Sequence, residues 1–235
     1  ASVEWSPRST TPPGQALVDQ TDSYSLDRAQ GYDLHHRSSL RNKLTNWREQ
    51  NVLAAALRTA DKPKSALDLP CGTGRFWPVF AQMGVTNLVA ADGSAGMLAV
   101  AAQNRLSDVF PAQLVATSAF DIALGTGAVE FAACLRFYHH LGRTEDCMKL
   151  LAELRRVTTR FVAISLWVDG NIAGNRRLRR PPPEATPGYG RRRCRRRVEV
   201  EEEFRNAGFN VRAHYDVWPG IYMWRLYLLE HGHGR

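Results

Sequence analysis

From about residue 38 onward, short apolar runs alternate along this chain with segments of helical period. The stretch "SSLRNKLTNWREQNVLAAALRTA" predicts one or two helices, with Leu40, Leu44 and Trp47 on one face and Leu53 and Leu57 continuing it. Asn46, followed three residues later by Glu49, suits the cap of a second piece, and Asp61-Lys62-Pro63 ends it. Next, "SALDL" reads as a buried strand, "GRFWPVFAQMG" as a helix closed by Gly84, and "NLVAAD" as a second strand. "AGMLAVAAQNRL" follows as a helix, then "AQLVAT" and "VEFAACLR" as strands, "EDCMKLLAELRRVT" as a helix and "RFVAISLWV" as a fifth strand. In the tail, the helix "VEVEEEFRNAGF" precedes "NVRAHYDVW" and "YMWRLYLLE", two strands with no helix between them. Continuous apolar strands joined by helices imply an α/β fold: a mostly parallel, seven-stranded sheet with helices on both faces and an antiparallel last strand.

The stretch "ALDLPCGTGRFW" interrupts this alternation with Pro70, Gly72 and Gly74 directly after the first strand. Two glycines bracketing one residue let the main chain approach another group closely. In an open parallel sheet, ligands sit beyond the carboxyl ends of the strands, where helix N-termini favour negative charge. The second strand ends in Asp92, 24 residues after Asp68, and an acid at about that spacing suits ribose hydroxyls. No Lys-Ser/Thr pair follows the turn, which excludes a P-loop, and position 77 holds Trp where the dinucleotide fingerprint needs a third glycine.

Together, "LDLPCGTGRF", "VAADGSAGML" and "FAACLRFYHHL" resemble the class I S-adenosylmethionine-dependent methyltransferases, in their type 11 branch, over roughly residues 40 to 230. The resemblance implies a Rossmann-like domain over 36–235 and S-adenosylmethionine as cofactor. It implies that Asp68 orients the glycine loop and the methionine amino group, and that Gly72, Thr73 and Gly74 line the methionine moiety. Asp92 and Gly93 fall at the ribose, and Met97, Ser118, Ala119 and Phe120 at the adenine. Ser118 replaces the family's usual acid, with Asp121 close behind it. Leu135 falls at the sulfonium end. The fourth strand also leads into Arg136, Tyr138, His139 and His140, where the family's acceptor enters. A hydroxyl acceptor needs a base of near-neutral pKa, which makes His139 or His140 the candidate base or positioning group.

Charge changes the picture at one place. The net charge is +8, yet residues 170–197 hold ten arginines and one acid, a local +9 that leaves −1 for the rest. Arginine forks suit phosphate and carboxylate. This segment is expected to be an acceptor lid, with Arg136, Tyr189, Arg191, Arg192 and Arg193 contacting an anionic acceptor. Only Tyr189 supplies an aromatic among the arginines, so a phosphorylated saccharide or lipid is favoured over RNA. A further alternative is a non-catalytic module that binds nucleic acid or an anionic membrane surface. The wider pattern, "LTNWRE" before the glycine turn and "VWPGIYMWRLYLLE" at the end, resembles methyltransferase domains associated with lipopolysaccharide-core kinases of Gram-negative bacteria. That resemblance implies a phosphorylated lipopolysaccharide acceptor, a kinase domain in the same or a neighbouring protein, and a place in the cytoplasm or at the inner membrane.

The first 35 residues are Pro/Ser/Thr-rich, lack an apolar signal core and are expected to form a partly disordered arm. No apolar run reaches membrane-spanning length. Cys71, Cys134, Cys147 and Cys194 form no C-x-x-C pair, so neither a zinc site nor a disulfide framework is expected, and Cys71 reads as a packed side chain rather than a nucleophile.

Overall fold

A computed structural model describes residues 40–104, 112–180 and 192–232. The elements run α1 (Leu40–Thr59), β1 (Ser65–Asp68), α2 (Trp77–Gln82), β2 (Asn87–Asp92), α3 (Ala95–Gln103), β3 (Ala112–Ala116) and β4 (Val129–Cys134). They continue with α4 (Thr144–Val157), β5 (Thr158–Val168), α5 (Ile172–Leu178), β6 (Cys194–Arg195), α6 (Arg197–Asn206), β7 (Phe209–Asp216) and β8 (Trp224–His231). The expected N-terminal arm, and with it Tyr189 and Arg191, lies outside the described residues.

The sheet order is β3-β2-β1-β4-β5-β8-β7, with β6 pairing β5 off that path. Strands β1 to β5 are mutually parallel, and β8 runs antiparallel to both β5 and β7. Alternate strand residues serve two cores. Leu67, Val89 and Ala132 meet the helices α4 and α6, while Ala66, Leu88 and Phe131 meet α1 and α2. Burial on both faces is why these strands read as unbroken apolar runs.

Four expectations change. First, α1 is one continuous helix, and Leu44 and Trp47 lie exposed; its buried stripe runs through Leu53, Ala56, Leu57 and Ala60. Second, the fourth strand stops at Cys134, because Arg136 turns into the left-handed region at φ 58°. Third, the sheet gains an eighth strand, the two-residue β6. Fourth, the arginine segment contains a helix, α5, capped by the Asn171 side chain, which accepts from the Gly174 N–H at 2.7 Å.

Candidate active site

The parallel register puts the ends of β1, β2 and β4 side by side: Asp68 pairs with Ala90 and Ala133. The glycine turn leaves this edge at Leu69, whose N–H donates to the Ala133 carbonyl, and Cys71, whose N–H donates to that of Ala91. Gly72 sits at φ 55°, and a β-carbon built there would meet nothing within 4 Å, so it borders open space. Gly74, at φ 79°, is needed for a different reason from the expected lining of the methionine moiety. A β-carbon there would lie 2.9 Å from the indole of Trp77, which is buried against it. Thr73 is buried, and its carbonyl accepts from the Asn104 amide at 3.3 Å.

Asp68 is 1 % exposed, and neither carboxylate oxygen has a hydrogen-bond partner. Burial pushes its pKa up to about 8, with Asp92 adding to the rise and the Trp77 indole and Arg75 opposing it. The indole N–H does so without reaching hydrogen-bond geometry. Asp92, also buried, bridges two loops: its oxygens accept from the N–H groups of Gly72 and Ser94, each at 2.9 Å. Burial raises its pKa too, and these backbone donors limit the rise. Gly93 is exposed between them, and Met97 is buried, its N–H donated to the capping Ser94 hydroxyl. Beyond β3, Ser118 is exposed and accepts from the Phe120 N–H, while Ala119 is buried. The exposed side chain of Asp121 follows one turn later. An orphaned buried carboxylate beside an open glycine suits a cationic amine, and each oxygen of Asp92 keeps a lone pair for a hydroxyl. The residues fit an aminoacyl nucleoside cofactor.

The neighbouring half of the site centres on Glu49, a residue that sequence reasoning took for a helix cap. Its carboxylate lies between two arginines, 2.8 Å from Arg75 and 3.1 Å from Arg136. Asn46 also accepts from Arg75, at 3.0 Å. The three-residue spacing of Asn46 and Glu49 thus serves the guanidinium that follows the glycine turn. The Arg136 N–H donates to Ser165 Oγ at 2.8 Å, and its guanidinium lies 5.1 Å from the Trp224 ring centre. Leu135 and Phe76 join Glu49, Arg136, Ser165 and Trp224 around a narrow hollow. Glu49→Gln keeps the shape and removes the charge between two partly buried cations. It is expected to cost about 2–3 kcal/mol, a fall of roughly 5–10 °C in melting temperature measured by calorimetry.

His139 lies in a single 3₁₀ turn, Tyr138–His140, and is 3 % exposed. Its ring stacks on Trp167 at 5.1 Å and meets Trp224 edge-on at 4.7 Å, with the His140 ring 4.1 Å away. Nδ1 has no hydrogen-bond partner. Burial holds its pKa well below the ordinary histidine value, helped by His140, Arg192 and Arg136, so the ring is neutral at physiological pH. Sequence reasoning named the histidines but not the tryptophans, which belong to β5 and β8.

The arginine segment divides. Arg195 holds buried Glu203 through two bonds of 2.6 and 2.7 Å, and Tyr138 donates to the same carboxylate at 2.8 Å. Arg197 pairs with Asp169 at 3.3 Å, and Arg196 approaches Glu199 at 3.9 Å. Counting charge over 170–197 hid these partners, since all three acids lie just outside that window. Arg195 and Arg197 thereby fasten the end of the segment to α6 and to the loop after β5. The N–H of Arg193 donates to the His139 carbonyl at 2.8 Å, and Arg192 lies 5.9 Å over Trp167; both side chains are exposed. Arg48 donates to the Val217 carbonyl at 2.8 Å and lies over the Trp218 ring.

All four cysteines are free, and burial raises the Cys71 thiol far above its ordinary value, leaving it a poor nucleophile. Among the described residues no cluster of His, Cys, Asp or Glu is placed to hold a metal, and no helix is long and apolar enough to cross a membrane.

This sheet order, with the glycine turn after β1 and an acid ending β2, defines the class I methyltransferase fold. Residues 67–160 match the family model described as a methyltransferase domain. Three solved structures illustrate the shared fold. An S-adenosylmethionine-dependent methyltransferase from Clostridium acetobutylicum has a TM-score of 0.69 at 12% identity, over 87% of this chain and 99% of that one. The magnesium protoporphyrin IX methyltransferase of Synechocystis, with bound cofactor, has a TM-score of 0.66 at 15% identity, over 94% and 100%. The 1,6-didemethyltoxoflavin-N1-methyltransferase of Burkholderia thailandensis, with its acceptor and S-adenosylhomocysteine, has 0.62 at 16% identity, over 97% and 94%. No curated protein sequence matches the chain. The chain therefore carries a methyltransferase domain and has the fold of the class I S-adenosylmethionine-dependent methyltransferases.

Proposed function

We propose that the enzyme methylates an anionic acceptor, a phosphorylated lipopolysaccharide or glycolipid component. One observation carries this reading: the Arg193 main chain is bonded to the His139 carbonyl, which brings exposed arginines to the rim of the candidate catalytic turn. Forked guanidiniums at that rim suit a phosphate group. A kinase supplying that phosphate, in the cytoplasm or at the inner membrane, is the partner this acceptor implies.

When bound, the cofactor supplies a methyl group activated by a sulfonium leaving group. Asp92 accepts from the ribose hydroxyls, and Asp68 from the methionine amine. The Gly72 main chain borders the methionine moiety, and Leu135 and Phe76 keep water from the reacting end. Met97, Ala119 and Phe120 supply apolar contact to the base. His139, enclosed by His140 and the two tryptophans and held neutral by burial, is the positioning group of the turn, and the less buried His140 beside it takes the acceptor proton. Arg136, pinned by Ser165 and Glu49, orients the acceptor.

Methyl incorporation into a panel of phosphorylated core oligosaccharide, its dephosphorylated form and RNA tests the assignment. The phosphorylated saccharide is expected to be methylated at a rate the dephosphorylated form does not approach. Arg192→Ala with Arg193→Ala should raise the acceptor KM about tenfold or more and leave cofactor affinity unchanged. Methylation of RNA in preference to either saccharide, or equal loss of cofactor binding, would overturn it.

A further inference from the structure

A second surface of the same domain is both basic and apolar, and the acceptor assignment does not use it. Helix α5 starts against the β7–β8 turn, with the Ile172 N–H donating to the Gly220 carbonyl and the Ala173 N–H to that of Ile221, each at 3.0 Å. A side chain at Gly174 would strike the Val168 carbonyl, so the helix is pressed onto the end of β5 and forms a fixed platform. On that platform Ile172 and Ile221 are neighbours, and each is 62 % exposed. Leu178, at the other end of α5, is 40 % exposed. Arg176 lies one turn from Ile172 on the same helix face, and Arg177, Arg179 and Arg180 follow. None of these four guanidiniums forms an ion pair with a described residue, and Asp169, the acid that precedes the helix, is engaged by Arg197; Glu184, four residues beyond Arg180, lies outside the described residues.

We propose that the face formed by α5 and the β7–β8 turn docks on an anionic lipid bilayer. Two isoleucines standing in water at a fixed spot, beside four arginines that form no ion pair among the described residues, match the two layers of such a surface. The aliphatic side chains enter the headgroup boundary, and the guanidiniums meet lipid phosphates. Nucleic acid satisfies only the charge. The exposed apolar groups here are aliphatic, whereas single strands are held by aromatic platforms. The face lies at the carboxyl end of β5, so docking would turn the acceptor side of the domain toward the membrane.

Vesicle flotation with the full chain tests this. Phosphatidylcholine vesicles containing roughly a third phosphatidylglycerol are expected to carry the protein, and pure phosphatidylcholine vesicles to leave it behind. Raising salt from about 0.1 to about 0.5 M should release most of it. Ile172→Ser with Ile221→Ser should lower partitioning about tenfold or more, as should Arg176→Glu with Arg179→Glu, while cofactor binding by calorimetry stays unchanged in both variants. These vesicles hold no saccharide phosphate, so the outcome is independent of the acceptor. Failure to partition into the anionic vesicles would overturn the proposal. So would partitioning that the isoleucine variant leaves intact, or binding to a short single-stranded RNA that outcompetes the vesicles.

Discussion

Asp92→Asn is expected to lower affinity for S-adenosylmethionine on the order of a hundredfold, about 3 kcal/mol, and to lower the melting temperature of the cofactor-free protein as well. The two effects share a cause. Each oxygen of Asp92 already accepts a main-chain N–H, one from Gly72 in the glycine turn and one from Ser94 at the start of α3. An amide offers one acceptor and turns an NH₂ toward the other donor, so one of these two bonds is lost in any rotamer. The turn then loosens at the residue that borders open space, and the ribose hydroxyls lose a charged acceptor. Calorimetric titration with S-adenosylmethionine and S-adenosylhomocysteine, alongside thermal unfolding, measures both. Wild-type affinity and wild-type melting in this variant would show that Asp92 neither braces the turn nor meets the sugar.

Cofactor binding is expected to release close to one proton at pH 7, and its affinity to rise about tenfold per pH unit between roughly pH 6 and 8. The group responsible is Asp68, whose carboxyl is pushed up to about 8 by burial and by Asp92, against the pull of Trp77 and Arg75. Below that value the cofactor-free protein holds Asp68 neutral, whereas the unfolded chain ionises it at an ordinary carboxylate pKa. The folded state therefore binds the extra proton. Its contribution to stability is complete at acid pH and is lost as pH rises toward 8. A cationic amine placed beside the carboxylate reverses the preference and expels the proton. Titration in buffers of different ionisation enthalpy reads that release directly, and Asp68→Asn should abolish it and flatten the pH dependence of apo stability. Proton release that persists in Asp68→Asn would assign it to another group.

Much of the cofactor half was legible before any coordinates, because it is built from local signals. Strands buried on both faces must be apolar throughout, so their ends, and the Asp68 and Asp92 that close them, stand out against the runs before them. A glycine forced to positive φ leaves its mark in the sequence, as Gly72 does. Gly74 shares the positive φ but also leaves room for the Trp77 indole where Gly72 borders open space, and sequence alone does not separate the two.

The alternation of apolar runs and helical periods determined the sheet, its helical covering and the antiparallel end, since period and burial are properties of consecutive residues. The tertiary structure alone decided how distant segments share charge and aromatic surface. Glu49 on the first helix meets Arg75 and Arg136, His139 is enclosed by tryptophans from β5 and β8, and Arg195 and Arg197 find their acids beyond any local window. Such pairings depend on which side chains face one another across folded elements, and neighbouring residues in the chain carry no record of that distance.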